Sequence, residues 1–432
     1  MRKLLQTANS RVTASMLVMG MGQLLYKQWG KGLMFLAVQL GYIYYLVTIG
    51  ARDLFGFFTL GSVASNPWYG IEGDNSVIML IMGVLAWIVT ILYIVCYIAN
   101  IKDVYATQQR VEGGGTPRRF KEELSELLDA KFYQTVLFLP IVGVCVFNIL
   151  PVIFMILVAF TNYGGKIVPP VLVDWVGFEN FKKILALGEF APTFFKILGW
   201  NTLWALLSTA INYFGGLGLA LLLNKKCVKG KVFWRAFPIL AYAIPGFITL
   251  LGFKFMFSYG GPINYYITEL GNQAIGFLDL DAKWSARIIG LLVNAWISIP
   301  SSMLLATGIL SNAGQDQYEA ATLDGASPFQ QFRYITLPFV IFATTPVLIS
   351  QFIGNFNNFG IFYFLRGGLY IDGYFLASDT DLLINWLYNL SIDNNYYAIG
   401  AAISLIIFII TSAISLAAYV FSPAYRQEGT YR

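Results

Sequence analysis

The chain has 432 residues, of which 57% are apolar, 16% aromatic and 12% charged, with a mean hydropathy of +0.65. A charged share about half that of ordinary globular domains excludes a water-soluble enzyme, and this much apolar surface excludes a disordered chain. The sequence has no histidine, so a His-ligated metal, a histidine base and a Ser-His-Asp triad are excluded, and neither a metal nor a catalytic group is expected.

The three cysteines, Cys96, Cys145 and Cys227, are too far apart for a zinc motif or a disulfide set, and no P-loop motif occurs. Apolar runs long enough to cross a bilayer predict eight transmembrane helices near 32–50, 77–100, 132–160, 197–223, 236–258, 285–310, 339–362 and 396–421. The first starts too late, and lacks the small-residue end, to be a removable signal peptide. Residues 14–25 are apolar but short and are expected to be an interfacial or re-entrant piece.

Lys and Arg set the orientation. They gather in the N-terminal segment (Arg2, Lys3, Arg11, Lys27, Lys31), in 101–131 (with Arg118 and Arg119), in 224–235 (with Lys225 and Lys226), at Arg333, and in the tail (Arg426, Arg432). These segments alternate to one side of the eight spans, so most of the 28 basic residues lie there. The positive-inside rule then puts both termini in the cytosol. The opposite loops are short and carry acids such as Asp279, Asp281, Asp379 and Asp381. Lys254, within the fifth predicted span, lies near its outer end, where it can reach the interface. Segment 101–131, with Gly113–Gly115 and an amphipathic stretch from Pro117, reads as a solvated linker.

Loop 311–338 predicts a short helix over Gln315–Asp324, ended by Gly325 and followed by Ser327-Pro328. Ala320 and Ala321 give it a smooth face, and Glu319 and Asp324 supply negative charge. Such a helix suits a groove on a cytosolic partner; a solvated connector is the alternative.

In the sixth and seventh predicted spans, Asn294, Ser298 and Ser301 fall at i, i+4, i+7, and Gln351, Asn355 and Asn358 repeat the spacing. Each set forms one helical stripe that must face protein or a wet cavity, because bare amides in hydrocarbon are costly. Pro300 and Pro346 are expected to interrupt these helices, as is tolerated where a span lines a cavity. Hydrogen bonding between helices is the competing explanation. The predicted spans contain no Asp or Glu, which argues against ion coupling, whereas carboxamides, hydroxyls and an aromatic such as Tyr242 match a neutral sugar.

Glu319-Ala320-Ala321, three residues, Gly325, nine residues, then Ile335-x-Leu337-Pro338 matches the EAA signature of ABC importer permeases. Further matches are Phe160-Thr161-Asn162-Tyr163, Tyr242-x-x-Pro245, Asn294-x-Trp296, Asn355-Phe356-Asn357-Asn358-Phe359 and Thr380-Asp381-Leu382-Leu383. Together they make residues 131–432 resemble the larger permease subunit of maltose/maltodextrin importers. The resemblance implies an all-α polytopic fold: a six-helix MetI-like core (131–432) after a two-helix extension and linker (1–130). It implies that Glu319, Ala320, Ala321, Asp324, Gly325, Leu337 and Pro338 couple to an ATPase, and that Tyr242, Gly246, Asn294, Ser298, Ser301, Gln351, Gly354, Asn355 and Asn358 line the sugar path.

The implied partners are a second permease subunit, a cytosolic ATPase dimer that binds the ATP and Mg, an extracellular sugar-binding protein, an oligosaccharide and the lipid bilayer. No nucleic acid and no cofactor of this chain's own is implied. The implied activity is uptake of maltodextrins, or of raffinose- or galacto-type oligosaccharides, into a bacterium, without bond chemistry in this subunit. The sequence departs from the enteric pattern in two ways. Only residues 161–195 join the third and fourth spans where enteric relatives carry a large periplasmic domain, which suggests a Gram-positive-type system. Ser301 and Gly354 stand where those relatives have aromatics, which suggests a wider cavity. An ion-coupled carrier, or a glycosyltransferase using Asp379 and Asp381, are the rival classes.

Overall fold

A computed structural model describes residues 7–118, 120–186, 188–225, 227–311, 314–422 and 425; Arg2, Lys3, Arg119, Lys226, Arg426 and Arg432, counted above for orientation, lie outside them. Among the described residues the regular structure is helical, with only isolated β-bridges. Among the described residues, seven helices are long and apolar enough to cross a membrane, and a bent helix pair makes the eighth candidate. The chain divides by contacts into two units, Met1–Gly177 and Phe178–Arg432.

Unit 1 holds α1 (Ser10–Leu17), α2 (Met21–Leu25), α3 (Trp29–Thr59), α4 (Ser76–Glu112), α5 (Phe120–Leu128) and α6 (Phe132–Val158). Asn75 caps α4 by accepting from the Val77 and Ile78 amides, which answers two of its orphan donors. The helix then runs past residue 100, the predicted end of its span, to Glu112. Residues 14–25 contribute to two short helices fastened to this extension. The Asn100 Oδ1 accepts from Ser15 Oγ (3.2 Å) and the Gly20 amide (3.0 Å). Lys31 and Asp103 pair at 2.6 Å, and Gln23 donates to the same carboxylate. Buried polar groups satisfied this fully fix one arrangement, a role apolar periodicity does not report.

Unit 2 holds α7 (Glu179–Leu185), α8 (Phe190–Asn224), α9 (Lys231–Ala243), α10 (Gly246–Met256), α11 (Pro262–Glu269) and α12 (Lys283–Ser311). It continues with α13 (Gln315–Leu323), α14 (Leu337–Phe356), α15 (Phe359–Arg366), α16 (Leu383–Tyr388) and α17 (Tyr397–Val420). Helices α8 and α12 pack closely because Gly216 has no side chain: a Cβ there would stand 2.4 Å from Ser302 Cβ and 2.7 Å from the Met303 amide. Small residues at a crossing are the usual way to bring two spans together where no hydrophobic drive operates. Trp200, Trp204, Val293 and Phe362 form the core between α8, α12 and α15.

Three expectations are corrected. The fifth predicted span, 236–258, is not one helix: α9 and α10 meet at 91°. Ile244 is extended, as steric conflict with the following proline ring demands, so the helix cannot run through Ile244-Pro245. Pro300 and Pro346 do not interrupt their spans; both lie inside continuous helices. Around Pro346 the Thr344 and Thr345 hydroxyls donate to the Val340 and Ile341 carbonyls one turn back along the helix. The break in the seventh span comes instead at residues 357–358, so Asn358 is not on the Gln351–Asn355 stripe but precedes α15 as its N-cap.

At the end of unit 2 away from α13, Arg366 is 2% exposed and pairs with Asp379 at 2.6 Å. It also donates to the carbonyls of Leu278, Asp279 and Leu280. Arg287 donates to the Asp379 carbonyl and lies 3.8 Å over the Trp200 ring. Asp381 accepts from the Ser378 amide, the Ser378 hydroxyl and Asn389. Burial pushes its carboxyl up to about 6 against those hydrogen bonds. Both acids of the suspected catalytic pair are thus buried and engaged in holding the connector.

Candidate functional site

The broken seventh span creates the site. A helix that stops inside unit 2 leaves carbonyls without partners. Here the Trp204 indole donates to the Asn355 carbonyl (3.1 Å) and Asn201 to that of Phe356 (3.0 Å), while past the break Asn385 donates to the carbonyl of Phe359, the first residue of α15 (2.8 Å). With its backbone satisfied, the break presents side chains at a fixed place.

Those side chains form a chain of amides. Asn358 Nδ2 donates to Asn294 Oδ1 at 3.2 Å, Asn294 Nδ2 to Asn355 Oδ1 at 3.4 Å, and Asn355 Nδ2 to the Thr209 hydroxyl at 3.0 Å. Asn294 and Asn355 are buried, Asn358 half-buried. Three separate elements, α12, the α14–α15 break and α8, therefore converge on one polar point. The link of 3.4 Å is near the limit of a hydrogen bond and is the weakest in the chain.

The other predicted residues are placed differently. Gln351 donates to Ser302 (3.0 Å), while its Oε1 is buried without a partner. Ser301 folds back onto the Ser298 carbonyl at 2.8 Å, and both are half-buried. Tyr242 is exposed at the α9–α10 break, and a Cβ on Gly246 or on Gly354 would meet nothing within 4 Å. The structure thus joins Asn294, Asn355 and Asn358 and leaves Tyr242, Gly246 and Gly354 outside that chain of amides. A hollow of about 470 Å³ lies under the bend, but it is lined by Phe237, Leu240, Ile244, Trp296 and Pro300 and is apolar.

Sequence reasoning missed the contribution of α8. Ser208 and Asn212 are buried, and the Ser208 hydroxyl and Asn212 Oδ1 have no hydrogen-bond partner. Leaving such groups unsatisfied costs about 1–3 kcal/mol each. The signal was present: Asn201, Trp204, Ser208 and Asn212 fall at i, i+3, i+7, i+11, one face of a helix.

Helix α13 matches its predicted range, with Asp324 at its C-cap and Gly325 in the left-handed region at φ 77°. Asn312 and Ala313 of the loop lie outside the described residues. Glu319, Ala320 and Asp324 are exposed, Ala321 and Leu337 half-buried, and Pro338 exposed just inside α14. Leu323 is 90% exposed, an apolar side chain in water on an otherwise polar helix that sequence reasoning passed over.

Residues 213–427 match the model of the family described as binding-protein-dependent transport system inner membrane component. The chain is 33% identical over 416 residues to the galactooligosaccharides transport system permease protein GanP of Bacillus subtilis, covering 95% of this chain and 97% of that one. It is 34% identical over 430 residues to the maltodextrin transport system permease protein MalC of Streptococcus pneumoniae, covering 97% of each. A bacterial ABC transporter involved in import of the acidic polysaccharide alginate shares the fold, with a TM-score of 0.57 at 20% identity over 69% of this chain and 97% of that one. The EAA helix, the converging amides and this full-length similarity lead to one conclusion: the chain is a multi-pass membrane protein of the binding-protein-dependent transport family, a permease component of the ABC importer type.

Proposed function

We propose that this subunit moves neutral oligosaccharides, maltodextrins first among them, through the membrane by ATP-driven alternating access. The observation that carries the proposal is α13: an exposed helix bearing Glu319, Asp324 and the bare Leu323, placed directly before a span whose far part builds the amide site. A cytosolic ATPase dimer binds ATP and Mg, seats α13 in a cleft and moves it. Both termini face the cytosol, a second permease completes the path, and an extracellular binding protein delivers the sugar. ATP shifts the conformational balance because its binding differs between the two states.

Within the path, the inter-amide bonds hold the place of sugar hydroxyls. A carboxamide can trade a 3.4 Å partner for a hydroxyl at little cost, since both donate and accept. Tyr242, Gly246, Ser298, Ser301, Gln351 and Gly354 extend the lining, and the small residues leave width for longer chains. Galacto-oligosaccharides are the second reading, favoured by the similarity to GanP. Uptake by the intact transporter, measured against chain length for maltodextrins and galacto-oligosaccharides, separates the two. The double variant Gly354→Phe, Ser301→Tyr is expected to shift preference toward short chains; an unchanged preference for long ones removes the wide-path idea.

A further inference from the structure

We infer that Tyr318 and Gln331 are positioning residues that splint α13 across a π turn, so that the helix and the base of α14 move as one piece. The inference rests on the function proposed above. Between α13 and α14 the chain forms a short helix, Pro328–Gln331, and then the π turn Phe332–Thr336. Two side-chain bonds reach back from it to α13. The Tyr318 hydroxyl and the buried Thr336 hydroxyl lie 3.0 Å apart, and Gln331 Nε2 donates to the Thr322 hydroxyl at 3.0 Å. Gln331 also reaches the Ala326 carbonyl, and the Ser327–Gln330 capping box closes the corner between them.

The two rungs sit on opposite sides of the π turn. Along α13 they are four residues apart, about 6 Å of rise; five residues of ordinary α-helix would rise about 7.5 Å and pull the rungs out of register. The π turn, which closes its hydrogen bonds over five residues, shortens that step and lets both rungs form. Glu319, Ala320, Leu323 and Asp324 are exposed, as is Thr322, while Tyr318 is half-buried; Tyr318 and Thr322, four residues apart, share one face of α13. Force applied at the exposed face therefore enters α14 through two side-chain bonds as well as through the backbone corner at Gly325.

The test uses the whole transporter in vesicles, with ATP hydrolysis and sugar uptake measured on the same preparation. The double variant Tyr318→Phe, Gln331→Met is expected to keep binding-protein-dependent hydrolysis while sugar moved per ATP falls about tenfold, the scale of one to two lost hydrogen bonds. Thr336→Ser, which keeps the hydroxyl, is expected to match the parent, and each single variant to fall between. Hydrogen exchange at residues 332–336 is expected to accelerate when the rungs are removed. An unchanged ratio of uptake to hydrolysis, or a proportional fall in both with loss of the ATPase chains, overturns the splint. A parent preparation with no ATP-driven uptake strikes the proposed function itself.

Discussion

Asn355 is the residue on which most of the site depends. Its side chain joins Asn294 to Thr209, and its carbonyl takes the Trp204 indole. Asn355→Leu removes two hydrogen bonds and strands the Asn294 amide, so a loss of about 1–3 kcal/mol is expected in thermal unfolding of the purified protein. Asn294→Ala cuts the chain at its middle and is expected to lower sugar uptake at least about tenfold, with protein yield retained. Uptake at the parent rate would mean that these amides serve packing alone.

Asp381 gives a prediction in pH. Its carboxyl is raised to about 6 by burial, from an ordinary value of 3.8. The folded chain therefore holds a proton that the unfolded chain has released between those values. That contribution to stability is complete below about 4 and is lost as pH rises through 6. Asp381→Asn carries no such proton, and its melting temperature is expected to lose this part of its slope between pH 4 and pH 6.5. A slope identical to the parent's would place the titration elsewhere.

At the scale of elements, the crossing of α8 and α12 leaves no room for a side chain at Gly216. Gly216→Leu would drive a Cβ into Ser302 and the Met303 backbone, so a loss of several kcal/mol and a collapse in folded yield are expected. Gly218→Ala, with nothing within 4 Å of the new Cβ, serves as the control and is expected to be neutral by the same assay.

The same scale shows what the sequence made legible. Hydropathy placed the third, sixth and eighth predicted spans to within a few residues, while the first, second and fourth helices run well beyond their predicted bounds, and α13 followed from its Gly325 stop. The 91° corner was written in Ile244-Pro245-Gly246, but continuous hydropathy across 236–258 concealed it. Pro300 and Pro346 point the opposite way: both lie inside continuous helices, Pro300 buried and Pro346 exposed. Pairings such as Lys31–Asp103 and Arg366–Asp379 join residues far apart in the chain or across a turn, and spacing along one helix carries no trace of them.

For the whole molecule, the spacing predicts two stripes of amides, and Asn294 and Asn355 lie on helices as it requires. The third, Asn358, reaches the same point from a helix break rather than from a stripe. Their convergence with Thr209 of α8 needed tertiary structure. Tyr242 and Gly354 are exposed and Gly246 is half-buried, and none of the three is a member of the hydrogen-bonded amide chain. The central claim is that an ATPase works this path through α13. Glu319→Lys reverses the charge at the middle of the helix face, and oligosaccharide uptake by the intact transporter measures the result. The account predicts that ATP-driven uptake is lost while the variant still reaches the membrane; uptake at the parent rate would contradict it.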